Sequence, residues 1–303
     1  MTEKITIGMP VYNGARWVRQ AIESILAQTY PKFELIISDN ASTDDTAAIC
    51  REYASRDARI KYRRNPENIG ASDNYNAVVR VASGAYFKWA SSNDVCEPTF
   101  LARCVEILDR DSDVVLCYPR TVLFNDDTDS VEYYQDDLHL MDDEPFARFK
   151  RLMHSMRLNN AMNGLIRTDA LSKTALVKVY FSSDVVMMAE LALHGKFFEL
   201  PEFLYRRRMD KDTTTNLKAP DQLLEHYHPK RDRRMLFQQW KLIAGYFGAV
   251  HRSPVGLAQK RKCYAHLLTH CAWSRKKLFN DVAYAVRVIA RDMGIMRGRQ
   301  HAH

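Results

Sequence analysis

Apolar positions come in blocks along the first two thirds of the chain, and the period switches from one block to the next. Ile5 to Val11 (ITIGMPV) is a short β-branched and apolar run closed by the turn residues Asn13 and Gly14, whereas Val18, Ile22, Ile25 and Leu26 recur at helical spacing between Ala15 and Gln28. A second run, Phe33 to Ser38, stops at Asp39 and Asn40. Ser42-Thr43-Asp44-Asp45 then reads as an N-cap and an acidic first turn of a helix reaching about Tyr53. A strand over Ile60 to Arg63, a helix over about Ser72 to Val81 and a strand through Tyr86, Phe87 and Trp89 continue the alternation. Three βα units in succession predict an α/β fold, with a Rossmann-like, mainly parallel sheet flanked by helices.

The alternation continues less regularly. A helix over Thr99 to Leu108 precedes a buried strand, Val114 to Tyr118, and the acidic, turn-rich segment from Asn125 to Glu144 reads as a long surface loop with the length of a lid. A helix over about Phe146 to Met156, a strand over Gly164 to Arg167, and a helix over Val185 to His194 capped by Ser182 or Ser183 follow. Phe197 to Leu200 and Phe203 to Tyr205 are two short strands, and the α/β pattern ends near Arg208. The expected organisation is a domain over 1–210, a linker over 211–228 and a helical C-terminal region over 229–303, with Leu236, Trp240, Ile243 and Phe247 on one apolar stripe and Tyr284, Val288 and Met293 on another.

Charge separates the same regions. Pro229 to His303 carries 16 Lys and Arg against 3 Asp and Glu, a net of +13 in a chain whose formal charge is +7, so the part before it is acidic on balance. Such a tail suits an anionic membrane surface, and a homodimer contact is the other use of the same helices. No nucleic-acid motif accompanies it. The chain has 303 residues, no apolar run near the ~18 needed to span a bilayer, and an N-terminus without the layout of a signal peptide. Six cysteines without a CxxC pair fit a reducing compartment. The expectation is a cytoplasmic protein, peripheral at the inner face of the membrane. Cys263, His266, His270 and Cys271 lie close together, but one helix rarely supplies a tetrahedral zinc set, and they read as packing residues.

Four strand ends in the first half carry polar groups: Tyr12 and Asn13; Asp39 and Asn40; Arg64, Asn65 and Asn68; and Ser91 to Asp94. In an open parallel sheet, ligands collect outside the carboxyl ends of strands. A carboxylate at Asp39 can accept from a nucleobase N–H, and the helix beyond Gly14 offers N–H groups to phosphate.

The ordered set P-x-Y-N (Pro10 to Asn13), D-N-x-S-T-D (Asp39 to Asp44), N-x-G (Asn68 to Gly70) and G-x-Y (Gly84 to Tyr86) with an acidic end at Asp94 resembles family 2 glycosyltransferases of the GT-A fold, over roughly the first 210 residues. The resemblance implies a sugar transferred, with inversion, from a nucleotide-diphosphate donor, UDP being favoured, to a hydroxyl of a glycan, lipid-linked or natural-product acceptor. Donor contacts would come from Pro10, Tyr12 and Asn13, from Asp39 and Asn40, from Arg64, Asn68 and Gly70, and from Ser92, Asn93 and Arg207. It implies an acceptor-side base, which falls on Asp184, with Asp94 sharing or replacing it. It also implies Mn²⁺ or Mg²⁺ at a D-x-D cluster. Here the chain reads Ser91-Ser92-Asn93-Asp94, leaving only Asn93 and Asp94 as ligands and the Arg206 to Arg208 run as a substitute counter-charge. A non-catalytic nucleotide-sugar binding protein with a degenerate metal site is the alternative.

Overall fold

The computed structural model describes residues 4–135, 137–211, 213 and 236–292. Four parallel strands, β1 (Ile5–Val11), β2 (Phe33–Asp39), β3 (Ile60–Arg64) and β4 (Tyr86–Trp89), lie in the order β3-β2-β1-β4. Every residue of β1, β2 and β4 is buried, which is why these segments read as runs rather than as alternation. Helices α1 (Val18–Leu26), α2 (Thr46–Arg56), α3 (Ala71–Arg80) and α4 (Phe100–Arg110) cover them. At Gly8 a Cβ would stand 2.6 Å from Val78 Cγ2 and 2.9 Å from the Phe87 ring, so glycine is what lets α3 settle against β1.

Beyond β4 the sheet becomes mixed. The strands β5 (Val95–Cys96), β6 (Val114–Asn125), β7 (Ser130–Tyr134), β8 (Leu165–Arg167) and β9 (Lys196–Arg208) extend it as β4-β8-β6-β9-β5, with β7 on β6. β8 runs antiparallel to both its neighbours, while β6 and β9 are parallel with irregularities around Pro119 and Arg120. Those irregularities absorb the break at Pro201, so the two expected short strands are one strand of 13 residues. The expected loop over Asn125 to Glu144 is largely structured. Its first part turns into β7, and Leu138 and Leu140 are fully buried, Leu140 bridging to Phe197. A segment fixed by strand pairing and two buried leucines is not a lid.

Helices α5 (Pro145–Ser155), α6 (Thr168–Ser172) and α7 (Ser183–His194) lead to α8 (Gln238–Arg252), α9 (Leu257–Trp273) and α10 (Arg275–Asp292). Helices α8 and α9 share a core with the sheet region, Tyr246, Ala249, Val250, Cys263 and Leu267 packing in one cluster with Phe149 and Met188, while α10 packs on α8 and α9 and buries Leu278 and Ala285. On α8 the buried face is Ile243, Tyr246, Ala249 and Val250, and Trp240, expected on the buried stripe, is 46 % exposed with its indole N–H donating to Leu278 O at 3.2 Å. The expected linker over 211–228, apart from residues 211 and 213, and the expected contact at Met293 lie outside the described residues. Among the described residues no helix is long and apolar enough to cross a membrane. All six cysteines are free thiols.

The front edge of the parallel strands is pinned by Glu34. Its carboxylate accepts from Thr6 Oγ1 and Ser83 Oγ, both at 2.8 Å, and pairs with Lys61 at 2.5 Å and Lys4 at 3.0 Å. Burial pushes this carboxyl up, but the bonds from Lys61, Thr6, Lys4 and Ser83 together outweigh it and hold it at about 2. A depressed native value stabilises the fold above the unfolded value of about 4.5, and that contribution disappears as pH falls toward 2. Glu34→Gln is expected to cost up to roughly 3 kcal/mol at pH 7 in urea unfolding, with the gap to wild type closing between about pH 4.5 and 2.

Candidate active site

The loops that end β1 and β2 are zipped together. The Asn13 N–H donates to Ser42 Oγ at 3.0 Å, the Gly14 N–H to Thr46 Oγ1 at 2.8 Å and the Ala15 N–H to Asp44 Oδ2 at 3.0 Å. In return Asn13 Oδ1 accepts from the Thr43 N–H at 2.8 Å, with Asn13 in the left-handed region at φ 49°. Asp44 also accepts from the Thr46 N–H at 3.0 Å; burial raises its pKa, but these bonds outweigh that and hold it below the usual carboxylate range. The N–H groups of Asn13, Gly14 and Ala15, in the loop before α1, are therefore occupied within the protein.

Asp39 is likewise turned inward. It has no exposed surface, Oδ1 accepts from the Ser42 N–H at 2.8 Å, Oδ2 accepts from Tyr62 OH at 2.7 Å, and Arg64 Nε lies 3.9 Å away. Burial and the Asp39 charge push the Tyr62 phenol up, keeping it a donor. In this arrangement Asp39 braces the loop after β2, and Arg64 covers it, donating to Ser42 O at 2.9 Å. Beside it stands a carboxamide network. Asn40 donates to Asn68 Oδ1 at 2.7 Å and accepts from Asn65 at 3.1 Å and from the Ile69 N–H at 3.0 Å. Asn74, on α3, donates to Ser38 O and accepts from Ser38 Oγ and Asn65. Gly70 opens α3 at φ 86°, a conformation that an L side chain resists.

These ends surround two adjoining cavities. One, of about 90 Å³, is bordered by Pro10, Tyr12, Asn40, Asn68, Asn74 and Ser92, with the Tyr12 ring 42 % exposed. The other, of about 290 Å³, is bordered by Asp94, Asn159, Met162, Asp184 and Arg207. Ala71, Tyr75, Ser91 and Asn93 border both, so the two form a single cleft across the strand ends. Of the expected donor residues, Asn13, Asp39, Arg64 and Gly70 frame this cleft from outside its lining.

The expected metal ligands are committed elsewhere. Asp94 Oδ2 accepts from Tyr205 OH and Oδ1 from the Arg208 N–H at 2.9 Å. Burial pushes the Asp94 carboxyl up despite these donors. Asn93 Oδ1 accepts from Ser91 Oγ, and Asn93 O accepts from Arg208 Nε at 3.0 Å. With hydroxyls at Ser91 and Ser92 and both Asp94 oxygens bonded, the donor set does not fit a divalent cation, which takes several oxygen ligands. Among the described residues no group of three or more His, Cys, Asp and Glu could hold a metal ion. The same two bonds occupy both oxygens of Asp94, which borders the larger cavity.

Asp184 sits in the first turn of α7, with Ser182 before it at φ 60°. No serine hydroxyl caps this helix; Ser183 Oγ donates instead to Lys178 O at 2.6 Å. Asp184 Oδ2 accepts from Asn159 Nδ2 at 2.8 Å, and Arg207 Nη1 donates to Asn160 Oδ1 at 2.6 Å. The neighbours of Arg207 point elsewhere: Arg206 lies over the Phe124 ring, and Arg208 is 1 % exposed, bonded to Asp126 and, at 2.6 Å, to Gln20 Oε1. The pleat of β9 separates one arginine from the other two. Sequence reasoning missed Asn74, Asn159, Asn160 and Tyr205; the density of asparagines before and within Leu158 to Asn163 (LNNAMN) was the available signal.

A mixed sheet of this order, with a cleft at its carboxyl ends, is the GT-A architecture, and the chain is a glycosyltransferase. The sequence profile of Glycosyl transferase family 2 matches residues 6–175, and the chain belongs to that family. An uncharacterized glycosyltransferase of Rickettsia prowazekii is 29 % identical over 229 residues, 73 % of this chain and 69 % of that protein. Glycosyltransferase GlyG of Streptococcus pneumoniae is 30 % identical over 117 residues, covering 38 % of this chain and 39 % of that one. Among solved structures, S. aureus TarS 1-349 in complex with UDP superposes with a TM-score of 0.64 at 16 % identity, over 90 % of this chain and 73 % of that one. Mannosyltransferase PcManGT from Pyrobaculum calidifontis, in complex with GDP-Man and Mn²⁺, gives 0.57 at 16 % identity, over 97 % and 81 %.

The carboxamide network makes a testable demand. Asn40→Ala removes the buried carboxamide that joins the half-buried Asn65 and Asn68 to the Ile69 N–H, and the expected loss is about 1–3 kcal/mol of stability, with the Ile69 amide exchanging faster by hydrogen exchange. An unchanged Ile69 rate excludes the network as the brace of this wall.

Proposed function

We propose that the chain transfers a sugar from a nucleoside diphosphate donor, UDP-linked in the first instance, to an acceptor hydroxyl with inversion at the anomeric carbon. The observation that carries this reading is the placing of Asp184 and Arg207 on one cavity that opens into the pocket under Tyr12. A nucleobase stacks on the exposed Tyr12 ring, the ribose and diphosphate pass Asn40, Asn68, Ser92 and Asn93, and the sugar lies in the larger cavity. The acceptor oxygen attacks the anomeric carbon as its proton passes to the Asp184 carboxylate. The bond from that carbon to the β-phosphate oxygen breaks, and the nucleoside diphosphate leaves with the electron pair. TarS with UDP and UDP-GlcNAc, and PcManGT with GDP-Man, support a nucleotide-sugar donor without naming this one.

Asn159 holds Asp184 by one oxygen, so the other is left to the acceptor. Nucleoside diphosphate release from UDP- and GDP-linked sugars, with detergent-solubilised cell membranes as acceptor source, is expected to fall by about 10²- to 10⁴-fold in Asp184→Asn. Donor binding without turnover in wild type points instead to the non-catalytic nucleotide-sugar protein.

A lipid-linked acceptor fits the outer face of α9 and α10, where Leu268, Trp273 and Phe279 are 63–73 % exposed among Arg261, Arg275, Lys276 and Lys277. Aromatic rings flanked by cations match the boundary of an anionic bilayer, and the enzyme acts there as a peripheral protein at its cytoplasmic face. Sedimentation with phosphatidylglycerol vesicles is expected to decrease at least tenfold when these four cations are changed to Gln, at about 1 kcal/mol each. Binding that survives the changes, or a dimer in light scattering that buries Trp273 and Phe279, assigns this face to a second copy.

A further inference from the structure

We infer that Arg207, and not a divalent cation, carries the charge of the departing diphosphate in this chain, and that the consecutive residues Asn159 and Asn160 fix the span between Arg207 and Asp184. The inference rests on the donor and base assignments proposed above and adds to them what replaces the metal.

The metal position is closed by bonding rather than by a missing atom: Asp94 is tied by both oxygens to β9, and Asn93 by its Oδ1 to Ser91. Breaking the bond between the anomeric carbon and the phosphate oxygen leaves one more negative charge on the diphosphate, and a cation must face it. Lys88, the nearest alternative on β4, is 1 % exposed and held by Trp89 O and Asn163 O, with its ammonium 4.2 Å from the Phe100 ring centroid. Arg206 and Arg208 lie on the opposite face of β9. Arg207 borders the cavity that Asp184 also borders, and its guanidinium offers two parallel N–H groups to phosphate oxygens.

Asn159 caps and Asn160 opens one 3₁₀ turn, Asn160–Asn163, whose next residue, Gly164, is pressed so closely on β6 that a Cβ would lie 2.7 Å from Cys117 O. From that fixed turn, Asn159 donates to Asp184 and Asn160 accepts from Arg207. The second polar atom of each amide, Asn159 Oδ1 and Asn160 Nδ2, is buried without a hydrogen-bond partner, and besides Asp184 the Asn159 amide donates only to the Met162 sulfur, at 3.9 Å. A rigid turn thereby sets the acceptor-side base and the leaving-group cation at one separation.

Titration calorimetry of the full chain with UDP, GDP, dTDP and CDP, in EDTA and in MnCl₂, tests this. The nucleotide that binds is expected to do so within about twofold in the two buffers. Arg207→Gln is expected to weaken it on the order of 10- to 100-fold, with the corresponding monophosphate nearly unaffected, and Arg206→Gln to leave both unchanged. Arg207→Lys, which keeps the charge and loses the fork, falls between. In diphosphate release from UDP- and GDP-linked sugars, Asn160→Ala raises the donor KM, whereas Asn159→Ala lowers kcat with the donor KM held within about twofold, a split that a purely structural role does not produce. Binding that requires Mn²⁺, or is indifferent to Arg207→Gln and Arg207→Lys, overturns the inference and leaves the transferase reading standing. Binding of none of the four nucleotides overturns both.

Discussion

A carboxylate buried between β4 and β5 holds the two halves of this enzyme together. Asp94 closes the parallel strands and, through Tyr205 OH and the Arg208 N–H, seizes the end of β9 from the far side of the sheet. Arg208 completes the knot with Asp126, Asp210, Gln20 and the carbonyl of Asn93, its guanidinium 4.5 Å from the Phe124 ring centroid. A buried charge is tolerable only when its partners are complete, and removing one of them leaves a penalty of about 3–5 kcal/mol. The end of β9 cannot drift without exposing that penalty, so Arg207, between two anchored residues, has its direction imposed.

That use of Asp94 separates the chain from a metal-centred design within its own fold. Where carboxylates would gather around a cation, hydroxyls and carboxamides close on one another, and the remaining acid faces inward. The cleft that results is lined by neutral amides, with one guanidinium and one carboxylate on the larger cavity beside Asp94. Its polarity is directional: the Asp184 carboxylate and the Arg207 guanidinium border the same cavity, each bonded to one of two adjacent asparagines.

The walls of the cleft are braced in the same way. The N–H groups of the loop before α1 are consumed by Ser42, Thr46 and Asp44, and the loop before α3 hangs on Asn40 and Asn68. The pocket is thus held in shape by hydrogen bonds between loops of different strands, which lowers the ordering needed when donor binds. Aromatic and cationic surface is concentrated instead on α9 and α10, and the inner face of α9 joins the protein core through Cys263 and Leu267.

The alternation of strand and helix through Trp89, the buried character of β1 and β2, and the placing of Asp184 at a helix start were legible in the sequence, because each depends on neighbours within a turn or a strand. The ordered motifs also located the four strand ends of the cleft. Tertiary structure alone decided which way the polar groups on those ends face. Asp39 turns to Tyr62 and Asp94 to Arg208, partners 23 and 114 residues away, and no local pattern records such a pairing. Three consecutive arginines look equivalent as a string; only the register of β9 on β6 and β5 sends Arg207 to the cavity and its neighbours to the other face. Asn159 and Asn160 became visible as site residues for the same reason. Their meaning lies in the distances to Asp184 and Arg207, which the chain fixes only once the sheet has closed.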